Sequence, residues 1–407
     1  MNCELRIMNY ISYLCAAMKK FLLHIRPTRL ARPLMGSTLV VLMMVLSASS
    51  CYCGNTKENS DSTSVEQPEE RHLSLLIAGD LMQHMPQIKA ARQADGSYNY
   101  DECFAGIKAE VERADVAIAN FETTLAGPPY SGFPQFSAPD DFLRGVIGAG
   151  FDIMLTANNH CVDTHKKGLE RTLMMMDSLG VPHIGTYRNA GERERNYPYL
   201  LEKNGLRIVL LNFTYGTNGL PVPSPCHVNL MDTMEIAADI EKARAMNPDA
   251  IIAFPHWGVE YQTLPSEAQR NMAEWLIRHG VSHIIGGHPH VAQPLELRGE
   301  GNNLVAWSMG NVVSNQSKPN TYGGYMVRMD FTKRDSLTTL SDQSYSLYWV
   351  SRPPDNGNRH PYRILPIDYP DSLLTPTEQR LRGSIRKSMR QLMERHNVGN
   401  IRENVIQ

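Results

Sequence analysis

Residues 283–290, His-Ile-Ile-Gly-Gly-His-Pro-His, are the most informative segment of the sequence. It begins within a short run from Val281 to Ile285 that is rich in β-branched residues, which predicts a buried strand. Two glycines follow and allow the backbone to approach its surroundings closely. We expect His288 and His290 to point the same way from an extended backbone, with Pro289 fixing the local angle. Two imidazoles arranged in this way at a strand end indicate a metal site.

Four other predicted strands run directly into polar side chains that can bind a metal. These side chains follow the apolar runs LLIAG, VAIA, IMLTA and IIAFP and are Asp80, Asn120, Glu122, Asn158, Asn159, His160 and His256. In α/β sheets ligands bind beyond the carboxyl ends of the strands, so we expect these groups to converge with His288 and His290. A site of carboxylate, amide and imidazole groups without thiolate suits one or two divalent ions of Mn, Fe or Zn.

Taken one at a time, these groups also have structural interpretations. Asp80 after a glycine is typical of a turn cap, and the segment from Asn120 to Glu122 is compatible with a loop that exposes a carboxylate. A lone His160 or His256 is more often a hydrogen-bonded loop histidine than a ligand. The ordered set of groups is what favours a metal site.

The chain around these groups alternates strand-like and helix-like segments, which predicts an α/β domain. Short apolar runs predict strands over 73–78, 115–119, 152–156, 207–211, 250–254, 281–285 and 304–308. The spacing of apolar residues predicts helices around 104–111 and over 169–179, 231–246, 266–279 and 375–396. We therefore place the folded domain at residues 72–370 and a helical tail at 371–407.

The composition limits the class of protein. The 407 residues are 42% hydrophobic and 20% charged, which fits a folded protein and excludes collagen, coiled coil and wholesale disorder. Lys plus Arg is 40 against 42 for Asp plus Glu, so we expect no nucleic-acid partner. Of seven cysteines, Cys103, Cys161 and Cys226 lie in the domain, too few and too scattered for a disulfide framework or a thiolate zinc site.

Residues 1–50 have the pattern of an export leader. Six basic residues precede an apolar run from Thr38 to Leu46, which is about half of the ~20 residues that a membrane-spanning helix needs. Ala-Ser-Ser-Cys at 48–51 resembles a lipobox, which predicts cleavage before Cys51 and its acylation; a plain signal peptide with a chance cysteine is the alternative. Residues 51–71 are polar and rich in serine, which predicts a disordered tether. We expect an exported, membrane-anchored lipoprotein of the bacterial cell envelope.

The motifs, taken in this order, resemble those of the calcineurin-like metallophosphoesterase superfamily. They are more similar still to its CapA branch, the bacterial capsule or poly-γ-glutamate synthesis proteins, over about residues 72–315. The motifs that carry the resemblance are Gly79-Asp80, Ala119-Asn120-Phe121-Glu122, Ala157-Asn158-Asn159-His160 with Asp163, His256-Trp257-Gly258-Val259-Glu260, Gly287-His288-Pro289-His290 and Ser308-Met309-Gly310-Asn311. The resemblance implies a four-layer α/β/β/α sandwich with metals at one edge.

The resemblance also implies a set of metal ligands. Asp80 and His290 would bind a first metal, and Glu122 stands where the superfamily has its bridging aspartate. The ligands implied for a second metal are Asn159, His256 and His288.

Further roles are implied for the side chains around the metals. His160 falls where the superfamily has a histidine that protonates the leaving group, and Asp163 is implied to orient it. The residues implied in substrate binding are Asn120, Asn158, Trp257, Glu260 and Asn311. A packed tryptophan and a capped turn are the structural alternatives for this last group.

Two departures from the superfamily pattern affect the first metal. Leu81-Met82 follow Asp80 where the superfamily usually has a histidine two residues after the first aspartate, and Asn120-Phe121-Glu122 replaces the usual GDxxD. CapA-type proteins share both changes. They leave the first metal with fewer ligands.

Three classes of function remain. The first is a cell-envelope metallohydrolase of phosphoester or related polymer bonds in capsule or poly-γ-glutamate synthesis. The second is a non-catalytic accessory protein that binds an anionic polymer during assembly or export, with polymer synthase subunits as partners. The third is a glycosidase or amide hydrolase that uses paired carboxylates such as Glu122 and Glu260, for which the chain has no motif of its own.

Overall fold

The computed structural model of the chain describes residues 70–299, 303–353 and 361–406. The predicted leader, Cys51 and most of the predicted tether lie outside the described residues. Glu70 and Arg71, which we assigned to the tether, belong to the first strand. Within the described part of the chain, no helix combines the length and the apolar character needed to span a membrane.

The described residues form 17 strands and eight α-helices in a mixed α/β arrangement. The strands are β1 Glu70–Leu81, β2 Val116–Phe121, β3 Ile153–Leu155, β4 His183–Ile184, β5 Thr186–Tyr187, β6 Tyr199–Lys203, β7 Leu206–Thr214, β8 His227–Val228, β9 Ala250–His256, β10 His283–Ile285, β11 Leu295–Arg298, β12 Asn303–Ala306, β13 Asn311–Val313, β14 Gly323–Arg334, β15 Leu337–Ser351, β16 Arg363–Pro366 and β17 Arg402–Asn404. The helices are α1 Met85–Ala91, α2 Asp101–Glu112, α3 Asp140–Gly148, α4 His165–Ser178, α5 Ala190–Asn196, α6 Thr233–Ala245, α7 Glu267–Arg278 and α8 Pro376–His396. All seven predicted strands and all five predicted helices coincide with elements of this set.

Most strands belong to two sheets. The first sheet has the order β16-β15-β14-β1-β2-β3-β4, with β13 paired to β1 and β17 paired to β15. In this sheet β1, β2, β3 and β4 are parallel, and β14 joins β1 antiparallel. The second sheet has the order β11-β12-β10-β9-β7-β6, in which β7, β9, β10 and β12 are parallel. The carboxyl ends of parallel strands therefore form one edge in each sheet.

Alternation along β1 explains how the first sheet packs. Leu75 and Ile77 belong to a core shared with the strands of the second sheet and with α6 and α7. Leu76 and Ala78 point the other way, into a core formed with α2 and α3. Burial of each such leucine or isoleucine contributes about 1.5–3 kcal/mol to folding. The predicted α/β class is confirmed, whereas the order of four layers stays a prediction.

The C-terminal helix packs against the core of the domain. Thr375 and Glu378 form a reciprocal capping box, with a proline in the first turn, which starts α8 sharply. Ile385, Met389 and Met393 then enter the core that the two sheets share. Helix α8 and β17 are thereby fixed against the first sheet.

Candidate metal centre

The backbone brings the first carboxylate to the edge of the first sheet at Gly79. A Cβ atom on Gly79 would lie 1.9 Å from the carbonyl oxygen of Gly310. Only glycine therefore fits at this close approach of the two backbone segments. The amide of Asp80 donates to that same oxygen at 3.0 Å. Asp80 lies beside Asn120 of β2 in the register of the two parallel strands. The predicted convergence at strand ends therefore begins with this pair.

Asn120 links the two buried carboxylates. Its Nδ2 donates to Asp80 Oδ1 at 2.8 Å and lies 3.4 Å from Glu122 Oε2, and both acids are fully buried. Asn158 Nδ2 donates in turn to Asn120 Oδ1 at 3.1 Å and to the carbonyl of Phe121 at 3.0 Å. These bonds fix the direction in which the carboxylates point.

His288 and His290 do not leave an extended backbone, and that expectation was wrong. Their backbone φ angles are 96° and 59°. Residues other than glycine adopt such positive φ angles only under constraint, at a cost of about 1–3 kcal/mol each. The constraint is tertiary: His288 N donates to Asp80 Oδ2 at 3.3 Å, and the carbonyl of Pro289 accepts from Tyr261 N at 2.8 Å. Both imidazoles still reach the centre.

Side chains from both sheets meet in one place. Glu122 Oε1 lies 3.5 Å from His256 Nε2 and 3.8 Å from His290 Nε2. His290 Nδ1 lies 3.2 Å from Asp80 Oδ2. Two groups have potential ligand atoms within 4.8 Å of one another, Glu122 with His288 and His290, and Asp80 with Glu122 and His256. Glu122 belongs to both groups.

Three buried atoms at this centre lack a hydrogen-bond partner among the described residues. They are Glu122 Oε1, His288 Nδ1 and His290 Nε2. A buried polar group that is left unpaired costs about 1–3 kcal/mol, so native proteins rarely keep several together without a function. Carboxylate oxygen and imidazole nitrogen are ligands that divalent cations accept. The residues therefore fit a divalent metal ion.

The charges at the centre favour a cation in the same way. Burial alone would lower the pKa of His290, but the Glu122 and Asp80 carboxylates outweigh it and raise this pKa to about 9. Burial and the neighbouring imidazoles hold the pKa of His288 well below its ordinary value. Without a metal ion, His290 is the imidazolium that compensates these carboxylates.

Asn159 and His160 are neighbours in sequence but make different contacts. Asn159 Oδ1 lies 2.8 Å from His256 Nε2, at the centre. His160 Nδ1 instead contacts Asp163 Oδ2 at 2.7 Å, and that oxygen also accepts from the amide of Phe136 at 2.7 Å. The Phe136 ring meets the His160 ring edge-on with centroids 4.6 Å apart. Asp163 therefore orients His160 through a short, buried hydrogen bond.

The residues predicted to bind substrate are mostly buried. Trp257 is 1% exposed, its indole donates to the carbonyl of Trp307 at 3.0 Å, and the two rings stack. Asn311 is fully buried, with Oδ1 3.1 Å from His290 Nδ1. Asn120 and Asn158 are also buried and bonded inside the centre, as described above. Only Glu260 of this set is exposed to solvent.

Sequence reasoning missed four side chains around the centre. Asn218 accepts from Asn159 Nδ2 at 3.1 Å and so sets the direction of that amide. His84 contacts Phe136 edge-on at 4.9 Å, and burial lowers the pKa of His84 to about 4. The other two are Tyr215 and Tyr261. The Asn-Gly turn at 218–219 and the position of Tyr215 directly after β7 were available signals.

Tyr215 and Tyr261 lie beside the imidazoles. The Tyr215 ring is 4.5 Å from the His288 ring, and the Tyr261 ring is 6.4 Å from the His290 ring. Burial, followed by the charge of Glu260, raises the pKa of each phenol to about 12, so both remain protonated at neutral pH.

Comparison with known proteins identifies the family. Residues 74–316 match the family described as bacterial capsule synthesis protein PGA_cap. The chain belongs to this family. The matched segment of this PGA_cap chain includes every predicted metal ligand from Asp80 to His290, whereas α8 lies beyond it.

Two curated relatives of this PGA_cap chain come from Bacillus. The capsule biosynthesis protein CapA of Bacillus anthracis is 25% identical over 342 residues, which cover 80% of this chain and 78% of the relative. The PGA biosynthesis protein CapA of Bacillus subtilis (strain 168) is 23% identical over 273 residues, which cover 64% of this chain and 68% of the relative. The predicted CapA resemblance is confirmed.

Solved structures similar to this PGA_cap chain include phosphoesterases. The calcineurin-like phosphoesterase YfkN from Bacillus subtilis aligns with a TM-score of 0.41 at 15% identity, covering 80% of this chain and 99% of that chain. The NAD nucleotidase NadN of Haemophilus influenzae aligns with a TM-score of 0.42 at 11% identity, covering 83% of this chain and 65% of that chain.

Proposed function

We propose that this chain is a metal-dependent hydrolase of the bacterial cell envelope that acts on a phosphoester or related bond during capsule or poly-γ-glutamate synthesis. The observation that carries the proposal is the set of buried atoms of Glu122, His288 and His290 that find no hydrogen-bond partner in the described part of the chain. Potential ligand atoms of these three side chains lie within 4.8 Å of one another. A structural core does not need such a set. The names of the two CapA relatives supply the biological setting.

In this proposal Asp80, Glu122 and His290 hold one ion. The residues that hold a second ion are Glu122, Asn159, His256 and His288. When bound, Mn, Fe or Zn supplies Lewis-acid activation of water and neutralises charge on the phosphoryl oxygens. Asn120 keeps the two carboxylates directed at the centre through its hydrogen bonds.

His160 would move the proton in this reaction. Asp163 accepts from its Nδ1, which fixes the ring and leaves Nε2 for the leaving group, with no partner for Nε2 among the described residues. Phe136 holds both members of the pair, since its amide donates to Asp163 and its ring meets the imidazole. A donor placed in this way is typically worth about 10²- to 10⁴-fold in rate.

We further propose that a lipid on Cys51 anchors the protein to a membrane of the envelope, with the tether holding the domain near its substrate. The proposed substrate is an anionic envelope polymer or a phosphoester precursor, and polymer synthase subunits are the proposed protein partners. The leader and the Ala-Ser-Ser-Cys motif support export and acylation.

The test uses full-length protein purified in detergent. Metal is removed with a chelator and restored as Mn, Fe or Zn, and both metal per chain and hydrolysis of a phosphodiester and of poly-γ-glutamate are measured. We expect hydrolysis that depends on the added metal and is lost when His288 is replaced. If the metal-loaded protein hydrolyses neither substrate but retains the polymer, the accessory binding function is correct and hydrolysis is not.

A further inference from the structure

Large side chains are exposed beside the centre on two neighbouring loops. Tyr215 is 46% exposed, and Val259, Tyr261 and Leu264 are 48%, 36% and 44% exposed. Clustered apolar exposure of this kind marks binding surfaces more often than single exposed residues do. Tyr215 follows β7, and the other three follow β9, whose last residue is His256.

The backbone holds both tyrosines firmly. Tyr215 N donates to the carbonyl of His256 at 3.0 Å, and the Tyr215 hydroxyl donates to Asn218 Oδ1 at 3.3 Å. Tyr261 has a φ of 67°, the left-handed region that a tyrosine rarely adopts, and its amide donates to the carbonyl of Pro289 at 2.8 Å. Strained conformations of this kind persist where a function needs the side chain in one place.

We propose that Tyr215 and Tyr261 are specificity-determining residues whose rings pack against a flat, uncharged unit of the substrate next to the bond that is cleaved. This inference rests on the proposed hydrolase function. The Tyr215 ring lies against His288 and the Tyr261 ring lies near His290, so the two rings flank the two imidazoles of the His-Pro-His turn. A substrate held at the imidazoles therefore meets both rings.

The charge beside the rings argues against an anionic unit at this position. Glu260 is exposed, precedes Tyr261 directly and acts electrostatically on both tyrosines. A carboxylate placed between the rings would be repelled by Glu260, whereas the face of a sugar ring or an aryl group would not. The geometry therefore favours a sugar-like or aromatic unit over an acidic one beside the scissile bond. Of the substrates in the proposed function, it favours the phosphoester over poly-γ-glutamate, whose repeating unit carries a carboxylate.

Calorimetric titration of the Mn-loaded, full-length protein with phosphonates tests the inference without turnover. The probes are phenylphosphonate, methylphosphonate and phosphonoacetate, which share the phosphonate head and differ in a flat, a small and an acidic substituent. A favourable ring contact contributes about two- to tenfold in affinity, so we expect phenylphosphonate to bind about tenfold more tightly than methylphosphonate. We expect phosphonoacetate to bind more weakly than methylphosphonate.

Three variants identify the source of this preference. In Tyr215→Leu with Tyr261→Leu we expect the preference for phenylphosphonate to fall below about twofold, with metal per chain unchanged. The double replacement by Phe keeps the rings and should keep the preference. Glu260→Gln should tighten phosphonoacetate about two- to fivefold, the usual range for one exposed charge. Leucine and phenylalanine at position 261 meet the same backbone strain as tyrosine. The double leucine and double phenylalanine variants therefore differ only in whether the rings are present.

The inference is overturned if the parent binds phenyl- and methylphosphonate equally, if it binds none of the probes, or if the leucine pair keeps the preference. The inference is also overturned if the double phenylalanine variant loses the preference for phenylphosphonate. Failure of the proposed function is seen separately, as absent hydrolysis in protein that binds metal and phosphonates. Hydrolysis without a preference for phenylphosphonate would support the proposed hydrolase function and exclude the proposed role of the two tyrosines in specificity.

Discussion

Replacing Glu122 with glutamine removes one charge and almost no volume from the centre. Glu122 Oε1 is shared by both groups of potential ligands, so the change should affect every bound ion. Loss of a partner in the outer shell of a metal site already lowers affinity about 10- to 100-fold. We therefore expect Glu122→Gln to weaken metal binding more than about 100-fold, or more than about 2.7 kcal/mol.

The same change should flatten the pH dependence of stability in metal-free protein. The carboxylates raise the pKa of His290 from 6.5 to about 9, so the stability that His290 contributes is complete below pH 6.5 and is lost as the pH rises through about 9. This difference in the pKa of His290 between the unfolded and the folded protein corresponds to about 3 kcal/mol of folding free energy. Coulomb attraction across the 3.8 Å between His290 Nε2 and Glu122 Oε1 is about 4 kcal/mol at an effective dielectric constant of about 20. Glu122 alone is therefore strong enough to account for most of the effect.

Urea unfolding at pH 6.5 and pH 9.5 in the presence of a chelator measures this difference. We expect the free energy of unfolding of the metal-free parent to fall by up to about 3 kcal/mol more than that of Glu122→Gln between the two pH values, because Asp80 still contacts His290 in the variant. Glu260→Gln is the graded comparison, because this exposed carboxylate acts on His290 more weakly than Glu122 does. It should leave metal content unchanged and reduce the pH dependence less than Glu122→Gln. Equal pH dependence in parent and Glu122→Gln, or unchanged metal affinity in the variant, would contradict this prediction.

Three other outcomes are expected. His160→Asn should keep bound metal and lower turnover by about 10²- to 10⁴-fold, whereas His288→Asn should lose metal; equal metal loss in both variants would make His160 a ligand. Cys51→Ser should release the protein from the membrane fraction, and sedimentation of the variant with membranes in high salt would contradict a lipid anchor. Burial lowers the pKa of His283 to about 4. The stability that depends on its neutral form is therefore present above pH 6.5 and is lost as the pH falls towards 4. The expected loss in the free energy of unfolding is about 3 kcal/mol. Urea unfolding of His283→Gln should show a smaller loss over that range; an equal loss would exclude His283 as the cause.

The sequence predicted the elements that carry the centre because both faces of their strands are apolar. The runs 75–79 and 251–255 can be buried only as central strands, and a polar residue directly after each one has to lie at the sheet edge. The order of Asp80, Glu122, His256 and His288 along the chain was therefore enough to predict that they converge. Strand-end position, more than residue type, was the informative signal.

The remaining details depend on contacts between distant parts of the chain. The left-handed turn at His288 needs an acceptor from Asp80, 208 residues away. The sequence left open whether Trp257 is a substrate-binding or a packed residue, because its partner Trp307 lies 50 residues further on and gives no local signal. His84 lies at the start of α1, and only the fold places its ring beside Phe136. Local patterns cannot predict such contacts, since each is decided by tertiary packing.

The ligand candidates are divided between the two sheets, with Asp80 and Glu122 at the edge of one and His256 and His288 at the edge of the other. An ion held between them would act as a cross-link between the two sheets. Amide hydrogen exchange in β1 and β9 should therefore slow together when metal is added, because opening of either sheet expels the ion. Where metal is scarce, the chain would open more often and be degraded sooner, so its abundance would follow the supply of metal.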